Sequence, residues 1–288
     1  MNASPYLLSA VIFVTSFSVS IAEPSVPEEG ERAPKKQAAA EKKIPTEITL
    51  VALGPKPTRK YKHTEGSDAP IMLLAKPGET PPSRLYYKGK SSTDKKTSWK
   101  SFNVSFNNPS AMRPITPGKS LVLYLKKPKD EGYEKYATIP AAKLGSRRII
   151  FLTPAQKGPK PWAVSPKLRI INLDAETFQG KQFILKNLSK FTIMHAFEDS
   201  VTSVLPMKTI SYKRAKTGQL YRLAAQYGTH KKIIYNTAVR LSGEGHIHLY
   251  ALYDANPKTN NGRSVGVFRT MVPARKLPEV SPESESTP

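Results

Sequence analysis

Apolar residues in this chain come in short runs of five to ten, many alternating with polar ones, and Gly, Pro and Asn separate the runs. Period-two alternation puts one side of a strand inward, and turn residues between runs mark the reversals of an all-β protein. Seven strands are predicted in a first series: 46–53, 71–75, 84–88, 101–106, 120–126, 135–139 and 147–152. A second series follows at 168–173, 182–187, 191–197, 209–214, 220–227, 232–241, 246–254 and 264–271. The 26 prolines fall mostly between these runs, as they must if central strands keep their amide donors. In KTGQLYRLAAQYG, Leu220, Leu223, Ala224 and Tyr227 also fit helical spacing, but with strands on both sides the strand is the better reading.

The stretch TPAQKGPKPWAVSPK, 153–167, carries four prolines and few apolar residues and is the natural inter-domain linker. Two antiparallel β-sandwich domains in tandem, Ig-like or jelly-roll-like, are therefore expected, at 46–152 and 168–278. MRPITPGKSLVLYL in the first half and TSVLPMKTISYKR in the second share a proline-bearing turn that leads into a strand, which suggests a duplication. Residues 23–45, EPSVPEEGERAPKKQAAAEKKIP, and the tail at 279–288 have no apolar content to build a core and read as a disordered linker and a disordered tail.

Residues 1–22 contain an apolar run from Leu7 that ends in Ser20-Ile21-Ala22, the small-x-small pattern of a signal peptide cleaved before Glu23. The segment before the run has no Lys or Arg, which leaves an uncleaved anchor open, while Thr15, Ser16, Ser18 and Ser20 shorten the run below a membrane span. The expected location is thus the periplasm, the cell surface or the exterior, with no span left after cleavage. No cysteine occurs, which excludes disulfides, thiolate metal sites and cysteine nucleophiles.

The net charge is +23, and residues 46–278 alone hold 40 basic and 14 acidic residues, a net +26. The folded body itself is basic, so it should attract acidic polysaccharide or another anionic envelope polymer, more weakly in salt. Cations interleaved with aromatics mark the candidate anion-binding residues: Arg59, Lys60 and Lys62 around Tyr61; Arg84 and Lys88 around Tyr86 and Tyr87; Lys213 and Arg214 after Tyr212; and Arg222 after Tyr221. Stacking rings plus cations suit sugars or bases that carry charge. An exported protein rarely meets nucleic acid, which favours the polysaccharide.

Candidate chemistry is sparse. His246 and His248 in GHIHLYALYD share a strand face with Tyr250 and Leu252, and the apolar Ile247, Leu249 and Ala251 are expected to point inward, leaving the histidines exposed. A metal there would need a third ligand from Glu244, Asp254, His195 or His230, and no spacing supplies one. There is no G-x-S-x-G nucleophile turn, Pro117-Gly118-Lys119-Ser120 lacks the first Gly of a phosphate loop, and the acid pairs Asp174/Glu176 and Glu198/Asp199 sit at strand ends. No catalytic or cofactor-binding residue is assigned and no cofactor is expected.

Phe178, Gly180, Phe183, Asn187, Leu188, Ser189 and Pro206 form a phrase in which F-x-x-x-N-L-S follows F-x-G and precedes a proline-bearing turn. Over 165–273 the chain resembles a family of exported bacterial proteins with tandem β-sandwich-like domains, to which no activity is assigned. The resemblance implies the fold and the export but brings no chemistry with it. The function expected is an exported, non-catalytic envelope protein, a binding or assembly module with a basic surface and, for assembly, protein partners in the envelope. The alternatives are a metal-dependent or hydrolytic enzyme with a site near His246 and His248, and a subunit of a surface or secretion assembly.

Overall fold

A computed structural model of the chain describes residues 45–63, 69–90, 97–127, 132–173, 181–197, 200–213, 219–239 and 246–273. These residues build an all-β body. Its first ten strands are β1 (Thr46–Ala52), β2 (Lys60–Lys62), β3 (Ile71–Leu73), β4 (Arg84–Lys90), β5 (Thr97–Asn103), β6 (Arg113–Ile115), β7 (Leu121–Lys126), β8 (Tyr133–Ile139), β9 (Arg147–Thr153) and β10 (Lys167–Asn172). The second half adds β11 (Lys181–Asn187), β12 (Ile193–Phe197), β13 (Ser200–Val204), β14 (Thr209–Lys213), β15 (Gln219–Tyr227), β16 (His230–Val239), β17 (His246–Asp254) and β18 (Val265–Pro273). The ambiguous KTGQLYRLAAQYG lies in β15, paired on both sides.

Each half contains two four-stranded sheets. The orders are β10-β9-β1-β6 and β5-β4-β7-β8 in the first half, then β14-β11-β17-β18 and β13-β12-β15-β16 in the second. With β2 and β3 set aside, every strand of the first half has a counterpart in the second with the same neighbours, from β1 and β11 through to β10 and β18. The match reaches single residues. A bulge interrupts the ladder after Leu123 in β7 and after Leu223 in β15. Leu53 N–H donates to Leu152 O (2.9 Å), as Leu188 N–H does to Leu252 O (2.7 Å). Asn107 and Met207 take left-handed backbone angles (φ 56° and 67°) and donate their N–H to Ala52 O and Asn187 O. The halves differ between the first and second counterpart strands, where 53–83 joins β1 to β4 and only 188–192 joins β11 to β12.

The two inner sheets are mixed, because β1 pairs with β9 and β11 with β17 in parallel register, while the outer sheets β5-β4-β7-β8 and β13-β12-β15-β16 are antiparallel throughout. Parallel pairing needs a long crossover, and here most of each half lies between the two partners. Strands so placed are buried on both faces and read as continuous apolar runs. One face of β1 and β9 packs Ile48, Leu50, Ile150 and Leu152 against Leu85, Phe102, Leu123 and Tyr136 of the facing sheet. The other face sends Val51, Leu53, Ile149 and Phe151 against Leu249, Ala251, Tyr253 and Phe268 of the second half. Within the second half, Phe183, Leu185, Tyr250 and Leu252 meet Ile193, Tyr221, Leu223 and Ile234. Four sheets thus stack around three apolar layers, and each fully buried aliphatic or Phe side chain contributes about 1.5–3 kcal/mol.

Burial on both faces corrects the expectation for GHIHLYALYD. Ile247 through Tyr253 are all buried, and His248 faces the core rather than water; only His246 is exposed. The supposed linker also has a different place. Trp162, fully enclosed, packs into the first core, and β10 completes the first sheet by pairing with β9. The second body, expected to start at 168, begins its own sheet at Lys181.

Candidate anion-binding groove

Because β1/β9 and β11/β17 are parallel pairs, the chain leaves all four of these central strands at one end of the body. The departing segments diverge and leave a groove of about 530 Å³ between the halves. Its walls come from Leu53 to Pro55 after β1, 153–158 after β9, Leu188 to Phe191 after β11 and Tyr253 to Ala255 after β17.

Asn187 sets the third wall. Fully buried at the end of β11, it donates Nδ2 to Phe191 O (2.8 Å) and Val204 O (2.9 Å), while its Oδ1 accepts from Ser189 N–H and Oγ (3.0 and 2.7 Å). This turn presents Lys190 and Phe191 to the groove. The N-L-S phrase of the sequence is therefore a structural turn. Opposite, Tyr253 accepts a hydrogen bond from Asn107 Nδ2 (2.7 Å), which ties the two halves together. Gly266 lies under the Tyr253 ring, where any Cβ would collide with it.

Four cationic side chains line the groove: Lys157, Lys167, Arg169 and Lys190. The one lining carboxylate among the described residues, Asp254, already accepts from Lys190 N–H (3.2 Å). Beside them Lys186 donates Nζ to Met207 O (2.8 Å), and its pKa is lowered by burial and by the neighbouring Arg169 and Lys208. Burial first, and then the like charges of Arg169 and Lys208, thus disfavour the ammonium form of Lys186 beside the groove.

The residues singled out in the sequence lie elsewhere. Arg59, Lys60 and Lys62 are exposed on or beside the β2–β3 hairpin, with Lys60 Nζ 3.2 Å from Glu79. Arg84 and Lys88 are exposed on β4, and Arg222 on β15. Lys213 closes β14, while Arg214 lies outside the described residues. Of the aromatics beside them, Tyr87 and Tyr221 are core residues, and Tyr212 shares a hydrogen bond with His195 Nδ1 (2.9 Å). The groove cations lie in three separate segments, with Lys157, with Lys167 and Arg169, and with Lys190 beside Phe191, so no single phrase of the sequence unites them; the N-L-S-K-F turn is its one pointer to the site.

The histidines do not assemble. His195 is enclosed in the second core, where burial lowers its pKa to about 4; His230 sits at the β15–β16 turn, and Asp254 at the far end of β17 from His246. No group of three or more His, Asp or Glu that could hold a metal occurs among the described residues. Glu244, Asp174, Glu176, Glu198 and Asp199 lie outside them. Pro117 to Ser120 form a turn into β7, with Gly118 at φ 72°. No helix of the described residues is long and apolar enough to cross a membrane. The chain matches no family model and none of the curated proteins.

Proposed function

We propose that this protein is an exported binding module of the bacterial envelope that holds an anionic polymer, with no chemistry of its own, and that the groove is its point of charge recognition. The observation that carries this reading is the groove lining, four cations against one carboxylate already engaged by the backbone. The leader pattern of residues 1–22 and the basic body support the location and the partner. Several phosphates or carboxylates along one polymer give an affinity that falls steeply with salt.

The test is retention on immobilised polyphosphate and polygalacturonate, with dextran as the neutral control, across a sodium chloride series. Retention on both acidic polymers that weakens with salt, and falls about tenfold or more in a Lys167→Glu/Arg169→Glu/Lys190→Glu variant, is expected. Retention indifferent to salt and polymer charge removes the reading.

A second reading, a subunit of a surface assembly, has one observation in its favour. The β2–β3 hairpin leaves Tyr61, Ile71, Met72, Leu73 and Leu74 exposed by 46–87%. Its partner would be a protein surface, and crosslinking of purified full-length chain with envelope extract would separate the two readings.

A further inference from the structure

The internal repeat supplies its own control for deciding which surface residues the fold needs. Strand register matches the outer face of β5-β4-β7-β8 to that of β13-β12-β15-β16 position by position. Tyr86 pairs with both Ser101 and Tyr124 in the first half, as Met194 pairs with Ser203 and Ala224 in the second. Lys88 opposite Trp99 corresponds to Ala196 opposite Val201, and Lys126 opposite Tyr133 to Gln226 opposite Lys231. Tyr86, Trp99, Tyr124 and Tyr133 thus stand where the repeat has Met194, Val201, Ala224 and Lys231.

The second half forms the same sheet, with the same bulge, without one of these rings. In the first half the four rings gather on the outer face. Trp99 stacks on Tyr133 (centroids 3.7 Å apart, planes at 18°) and meets Tyr124 edge-on at 5.2 Å. Tyr86 meets Tyr133 edge-on at 5.2 Å. Trp99 remains exposed, and Lys88 Nζ lies over its ring, 5.5 Å from the centroid. Strand alternation puts Arg84 on the same face. A cluster that the fold does not require, set outward and edged with cations, is a surface kept for a ligand.

We infer that this face binds a chain of pyranose rings bearing carboxylates. The C–H edges of a pyranose carry partial positive charge and pack on the negative face of an indole or phenol ring. A carboxylate on the same sugar draws the Lys88 ammonium off the Trp99 ring into an ion pair, so that one sugar residue uses both groups. The inference rests on the polymer-binding reading and narrows its substrate class to acidic polysaccharide. It places recognition of the sugar on the outer sheet of the first half, apart from the charge recognition in the groove.

The chain has two tryptophans, and Trp162 is buried, so quenching of fluorescence by acrylamide reports on Trp99. Full-length protein is titrated with a galacturonate hexamer. The expected result is protection of Trp99 from the quencher and an affinity that drops about tenfold in Tyr133→Ala. Trp99→Ala, followed by calorimetry, is expected to lose as much and Trp99→Tyr much less, with unchanged circular dichroism in every variant. Lys88→Ala is expected to weaken binding of the acid hexamer but not of a neutral glucose hexamer. No protection by the hexamer, or affinity unchanged in Trp99→Ala and Tyr133→Ala, overturns the inference. Polyphosphate separates the two readings, since salt-sensitive retention on it reports the groove alone. Retention on polyphosphate without sugar binding sinks the aromatic face and spares the groove; loss of retention with Trp99 still protected does the reverse.

Discussion

The two halves have the same strand order, the same pair of parallel central strands and the same bulge, but they spend their aromatic residues differently. The first half puts four rings on its outer face. The second turns its rings inward, where Phe183, Phe197, Tyr221 and Tyr250 surround one another at 4.7–5.8 Å with His195 beside them. By register His195 takes the place of Tyr87 in the first core. The backbone plan is thus indifferent to these choices, and the halves are distinguished by an outer aromatic surface in the first and a dense buried cluster in the second.

Breaking the layer shared by both halves should have the largest effect. Phe151, fully buried and edge-on to Phe268 at 5.8 Å, belongs to the apolar layer that joins them. Phe151→Ala is expected to lower stability by about 3–5 kcal/mol in chemical denaturation, because the cavity left cannot close on two sheets. Both halves should still unfold in a single transition; two separated transitions would show that the layer does not couple them.

Acid should separate the two cores. Burial holds His195 at about 4, below the usual 6.5, and lowers His248 as well, with Arg269 and His246 adding to the effect. The unfolded chain therefore takes up a proton before the folded one does. Stability is full above about pH 6.5, falls as the pH drops towards 4, and loses roughly 3 kcal/mol on account of His195 across that window. His195→Phe should flatten the slope in a pH series of urea midpoints, whereas Tyr87→Phe, its counterpart, should leave it unchanged.

Smaller effects sharpen the same comparison. Met207 holds a left-handed angle that strains a side chain with a Cβ, so Met207→Gly is expected to stabilise the protein by about 1 kcal/mol. Asn107, its counterpart, tolerates that angle and donates to Tyr253, so Asn107→Gly should destabilise by about 1 kcal/mol. Opposite signs at equivalent positions would be read directly from melting temperatures. Smallest is Tyr221→Phe: the hydroxyl is buried without a hydrogen-bond partner among the described residues, and removing it should be neutral or stabilise by up to about 1 kcal/mol.

Much of the fold was legible because strands announce themselves through apolar runs and turn residues. Each of the fifteen predicted runs overlaps an observed strand; β2, β6 and β13, short and largely polar or exposed, had no such signal. Pairing partners were not legible. In GHIHLYALYD the alternation of Ile247, Leu249 and Ala251 is real, but which side of the strand meets water depends on how many sheets stack, and here both sides are covered. The groove cations Lys157, Lys167, Arg169 and Lys190 come from three separate segments, the one after β9, strand β10 paired antiparallel to β9, and the turn after β11, which only the tertiary fold brings together. Lys88 and Tyr86 were visible as a basic-aromatic phrase, while their partners Trp99, Tyr124 and Tyr133 come from other strands.

Hydrogen exchange with and without a galacturonate oligomer reads the central claim, that binding resides where the repeats differ. Added protection is predicted in 84–88, 97–103 and 133–139 and around Lys190, with 193–204 and 230–235, the counterpart sheet, unchanged. Equal protection of both outer sheets, or of neither, would contradict it.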